Sequence, residues 1–102
     1  MKWYHYIACF FAGAFLANFV PHFVHGVSGD PFPSPFSNPP GIGPSSPLTN
    51  VLWALGNLVV GVLLYKTGKI SWSNKWSLLF LFIGFALMSI NLSIHFAGKM
   101  VM

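Results

Sequence analysis

WSLLFLFIGFALMSINLSIH, residues 76–95, is a run of twenty residues without a single charged side chain. About 20 predominantly apolar residues in helical form cover the hydrocarbon core of a bilayer, so this stretch reads as a membrane span. Two further stretches have the same character, and the spans fall at about 4–26, 48–66 and 75–98. The chain is 55% hydrophobic and 6% charged, where an average soluble domain carries about 25% charged residues. The expected fold is an all-α membrane protein, a single domain over residues 1–102 with three transmembrane helices.

Each span carries polar residues at helical spacing. Ala14, Asn18, His22 and His25 share a stripe of the first, Asn50, Ala54, Asn57 and Gly61 one of the second, and Gly84, Met88, Asn91 and His95 one of the third. Polar side chains in hydrocarbon are costly and turn toward a bundle interior, a partner or a water-filled pocket. Small residues mark close packing: Cys9, Gly13 and Ala17 recur one turn apart on the first span, with Gly61 and Gly84 on the others. Pro21 falls late in the first span, where it removes a backbone donor and predicts a kink. Such breaks are tolerated in membranes when neighbouring groups satisfy the freed carbonyls.

Between the first two spans lies a distinctive connection, residues 28–47, holding seven of the eight prolines. Helix and central strand are excluded there, leaving turns and extended segments. Phe32, Phe36 and Ile42 argue against a freely solvated linker and can fold back onto the helix ends or dip into the interface; the connection reads as a stiff spacer lying on the outer surface, with a lid or partner-docking strap as the alternative.

Five lysines face one aspartate. Lys66, Lys69 and Lys75 border the second connection and Lys2 the N-terminus, whereas the 28–47 connection has no lysine and contains Asp30. The excess of lysine marks the cytoplasmic side, which places the N-terminus inside and the C-terminus outside, with Lys99 as a minor exception. Trp3, Tyr4, Tyr65, Trp72 and Trp76 mark the inner interface and Trp53 the outer. The basic residues neither cluster in a soluble region nor interleave with exposed aromatics, so no nucleic acid is expected as a partner. A leader cut after Ala12-Gly13-Ala14 is not expected, because the apolar run before it is short and continues past it. A lipid on Cys9 is not expected either, and with one cysteine there is no internal disulfide. The natural setting is a bacterial inner membrane, with the C-terminus periplasmic.

At 1.5 Å per residue, His22 and His25 lie ~24–29 Å up the first span from Tyr6, and His95 ~29 Å up the third from Trp76. These histidines, with Asp30, reach the outer interface; Asn18 and Asn91 sit about a turn deeper, and Asn50 caps the second span at the same end. Asn18, His22, His25, Asp30, Asn50, Asn57, Asn91 and His95 therefore form the candidate polar cluster. It supports three readings. Neutral imidazoles of His22, His25 and His95 suit a transition metal, or haem with a partner helix. The cluster also suits a ligand pocket or proton route in an oligomer. Or it is structural, with asparagines joining helices and histidines satisfying loop carbonyls.

One carboxylate cannot form an acid–base pair, and no nucleophile constellation or phosphate loop is present, so the isolated chain is not expected to be an enzyme. The leading expectation is an accessory subunit of a larger membrane complex, docked through its Pro-rich loop. The alternative is a homo-oligomeric binding or transport module that uses the Asn/His cluster for a ligand, proton or metal.

Overall fold

The computed structural model describes residues 1–97, so the expected end of the third span at Gly98, and Lys99, lie outside the described residues. Three helices run α1 (Trp3–Val27), α2 (Pro47–Thr67) and α3 (Lys75–Phe96), each long and apolar enough to cross a membrane. Their starts are chemically marked. The Ser46 hydroxyl accepts from Thr49 N at 3.1 Å, and Pro47 occupies the first helical position, where no donor is needed. The Asn74 side chain accepts from Trp76 N and Ser77 N to open α3. α1 continues helically through Pro21 to Val27.

α1 lies between the other two helices and packs along both, while α2 and α3 scarcely touch each other. The sequence of α1 explains its central place: its buried positions include Ala8, Cys9, Ala12, Gly13, Ala14 and Ala17, all small enough for backbones to approach closely. On the α3 side the closest approach is at Gly13 and Gly84. A Cβ on Gly13 would overlap the Leu81 carbonyl, and one on Gly84 the Phe10 carbonyl. On the α2 side, Gly61 sits under the Leu16 side chain, and the Cys9 thiol donates to Gly68 O at 3.3 Å. The large side chains of α2 and α3, such as Leu52, Leu63, Phe82 and Ile94, are exposed on the outside, as suits lipid contact.

The long connection folds back as a strap over the ends of the helices. Phe32–Pro33 and Pro44–Ser45 (β1 and β2) form a two-residue antiparallel bridge, Phe32 opposite Ser45 and Pro33 opposite Pro44. Between them Ser37 Oγ donates to Ser34 O at 2.6 Å, Gly41 N donates to the same carbonyl at 2.8 Å, and the Asn38–Pro39 bond is cis. Phe32 is buried; Phe36 packs edge-on against Trp53 but remains largely exposed, as does Ile42.

The Gly13–Gly84 contact carries a prediction. Gly84→Ala should lower stability in mild detergent by about 1–3 kcal/mol, because the neighbour is backbone and cannot turn aside. Gly56→Ala, where an added Cβ meets nothing within 4 Å, should be neutral or slightly stabilising. A denaturing titration in mixed micelles distinguishes the two.

Candidate functional site

The seam between α1 and α2 is antiparallel, so residues ascending α1 meet residues descending α2. At the deeper level Asn18 Nδ2 donates to Asn57 Oδ1 at 3.0 Å, and Asn57 Nδ2 donates to the Trp53 carbonyl at 2.8 Å. One turn further along α1, His22 Nδ1 lies 2.7 Å from Asn50 Oδ1. Asn50 is 0% exposed, Asn57 2% and His22 3%. The sequence stripe Asn50, Ala54, Asn57 and Gly61 is the buried face of α2. One expected role is corrected: Ser46, not Asn50, caps α2, and Asn50 sits a full turn inside, because Pro47 already occupies the first turn.

Asn50 is also what holds the strap. Its Nδ2 faces the carbonyls of Phe32 at 2.8 Å, Ser46 at 3.2 Å and Ser45 at 3.4 Å. The two ends of the strap thus converge on a single side-chain amide. Ser34 Oγ and Ser45 Oγ, 2.6 Å apart, close the bridge beside it. The rings of Phe32, Trp53 and Phe96 all meet the His22 ring edge-on, at centroid distances of 5.4, 6.4 and 6.4 Å. Phe32 and Phe96 also contact each other at 4.6 Å, so aromatic rings fill the space between strap, α1 and α3.

The remaining candidates take separate places. His25 stacks on Phe32 at 4.2 Å with planes 12° apart, and its Nδ1 is 3.9 Å from Asp30 Oδ2 at a solvent-accessible edge. His95 Nε2 donates to the Gly41 carbonyl at 2.9 Å and pins the middle of the strap to α3. Asn91 is exposed on the α3 wall. His22, His25 and His95 are thus engaged with three different oxygens, and among the described residues no three His, Cys, Asp or Glu side chains are grouped to hold a metal ion.

Under the strap, between α1, α2 and α3, lies a chamber of about 240 Å³ walled by Asn18, His22, Asn91 and His95 and roofed by Pro33 to Pro35. Trp53 completes the wall, and its indole Nε1 is buried with no hydrogen-bond partner among the described residues. On the other side of Leu92 and Phe96 a larger apolar groove of about 820 Å³ separates α1 from α3, with Val20, Val24 and Phe85 on its walls and His25 at its rim. Both openings have one cause: α1 and α3 meet closely at Gly13 and Gly84, while their other ends are held around a cluster of rings.

Sequence reasoning missed Trp53 as a wall residue, reading it as an interface anchor. Its spacing was the available signal, three residues after Asn50 and four before Asn57. Phe96, Ser34, Ser45 and the strap carbonyls carried no comparable pattern. No family model matches the chain, and no curated protein or solved structure matches it. Fold and site together define a small membrane-spanning protein of three helices with an internal histidine and asparagine hydrogen-bond network.

Replacing Asn50 tests the strap's attachment. Asn50→Leu removes the donor shared by three carbonyls and should cost about 1–3 kcal/mol. Limited proteolysis should then cut within residues 28–47 much faster than in the parent, whereas Asn91→Leu should leave that rate unchanged.

Proposed function

We propose that this protein is a small binding module of the membrane, working as a homo-oligomer, whose Asn/His cluster receives a ligand beneath the Pro-rich strap. One observation carries the reading: polar groups from α1 and α3 face a chamber that the protein's own side chains do not fill. Purely structural polar residues would be expected to pair with each other, as Asn18 does with Asn57. Asn91 and the second nitrogen of His22 have no protein partner among the described residues, yet both residues line the chamber. Exposed amides at this depth favour a covering surface. A second copy laid across the open side between α2 and α3 would supply one, and that opening gives a ligand its lateral entry.

The chain's other groups have supporting parts. Asn50 and His95 hold the strap as a roof, and Asn57 sets the rotamer of Asn18. With its lysines on the cytoplasmic side, the strap and chamber face the periplasm of a bacterial inner membrane. The accessory-subunit reading draws on the exposed apolar faces of α2 and α3 but gives the chamber no task.

Native mass spectrometry of the protein released from mild detergent tests the proposal. A discrete homo-oligomer retaining a small-molecule mass is expected. Asn91→Leu, at an exposed chamber-wall residue that holds no other part of the fold, should weaken retention of that mass while membrane abundance stays within about twofold. Recovery only with a larger unrelated protein, and no retained mass, would sink the binding-module reading. The orientation has its own check. Alkaline phosphatase inserted after Gly29 should be active, and inserted after Lys69 inactive; the reverse would invert the topology.

A further inference from the structure

Two asparagines whose amide nitrogens are held by backbone carbonyls, Asn50 and Asn57, decide what the chamber can recognise. The partners of Asn50 Nδ2 are the carbonyl oxygens of Phe32, Ser45 and Ser46, which only accept hydrogen bonds. The amide nitrogen therefore faces them, and Oδ1 faces His22. Oδ1 also only accepts, so the imidazole nitrogen 2.7 Å away, Nδ1, carries the proton. In the neutral ring Nε2 is then a bare lone pair, and it is the ring nitrogen left without a protein partner among the described residues.

Asn57 Nδ2 donates to the Trp53 carbonyl, which fixes Asn57 Oδ1 as the acceptor presented to α1. Asn18 must meet it with Nδ2, and does, at 3.0 Å, which leaves Asn18 Oδ1 as an acceptor. Asn18 and His22 lie four residues apart on one face of α1, and both line the chamber. Two acceptors in a row on α1 are thus set by carbonyls that cannot change role.

Charge narrows the choice further. Among the described residues the chamber wall holds no lysine and no carboxylate. An anion could accept from Trp53 Nε1 and the Asn91 amide but would meet the lone pairs of His22 and Asn18 with no cation to balance it, unless His22 became doubly protonated between the edges of Phe32, Trp53 and Phe96, where an unpaired charge is costly. A divalent metal would find two imidazoles, His22 and His95, and amide oxygens, but no carboxylate or thiolate to balance its charge, and among the described residues no three ligating side chains are grouped there. An uncharged donor satisfies both acceptors and buries no charge.

We propose that the chamber binds a small uncharged molecule that donates at least two hydrogen bonds, of the polyol or urea-like amide class, with His22 Nε2 and Asn18 Oδ1 as its acceptors. The inference rests on the reading of the chamber as a ligand site. Asn91, whose amide both donates and accepts, lies across the chamber on α3 and meets the ligand's own oxygen.

The experiment uses the full chain, labelled with nitrogen-15 at histidine and asparagine, in phosphatidylcholine nanodiscs. Glycerol, urea, inorganic phosphate and zinc ion are each titrated while the His22 ring and Asn18 amide resonances are followed. Before any addition, His22 should show a protonated Nδ1 and an unprotonated Nε2. Glycerol or urea should then move Nε2 along a saturable curve, and phosphate and zinc should not. In His22→Phe, followed through the Asn18 amide, the same curve should weaken about tenfold, the loss of one good hydrogen bond. A proton resting on Nε2 overturns the assignment. Saturation by phosphate or zinc overturns the ligand class and leaves the chamber a binding site. Silence toward all four probes overturns both.

Discussion

The loop end of this protein depends on the side chain of Asn50. A buried amide has two donors and two acceptor lone pairs, and leaving them unmet is expensive. Asn50 meets them by gathering three carbonyls of the strap and α2 on one side and His22 of α1 on the other. Seven of the twenty residues of the connection are prolines without a backbone donor, and the Asn50 amide supplies one at its base. The strap, the α1–α2 register and the protonation of His22 follow from that amide.

A second constraint comes from the small residues of α1. Lipid tails are as apolar as leucine, so helices in a bilayer gain little from hydrophobic burial and associate where their backbones can come close. Alanine, cysteine and glycine recur around α1 and let it serve two neighbours at once, whereas the small positions of α2 and α3 are too few to bring those two helices together. The chamber and the apolar groove are consequences of that inequality. α1 and α3 are drawn in at Gly13 and Gly84, and the rings of Phe32 and Phe96 occupy the space at the other end.

Of the polar candidates, the second-span stripe is the clearest success of pattern reading, because Asn50, Ala54, Asn57 and Gly61 are the buried face of α2. The third-span stripe is buried only at Gly84, where α3 presses on α1; Asn91, two turns on, and His95 face the chamber because the helices have separated by then. His22 and His25 lie on the same side of α1, yet one is locked under the strap and the other stacks at its edge on Phe32. Their difference arises from the strap, whose course no helical periodicity encodes. The strap carbonyls of Phe32, Gly41 and Ser45 were illegible for a simpler reason: every residue has a carbonyl, and only folding selects which ones are used.

Three membrane-length helices, their approximate limits, the small face of α1 and the inward stripe of α2 are properties of the sequence by itself. Each depends on hydropathy and spacing within a window of about twenty residues, and a bilayer enforces them through the need to satisfy every backbone group locally. The tertiary structure alone decided that Asn18 meets Asn57, that His22 meets Asn50, that His95 pins the strap across the chamber from them, and that His25 goes elsewhere. Those pairings require the rotation of each helix about its axis and the path of the strap. Both are set by contacts between residues 28 to 54 positions apart, which no local pattern contains.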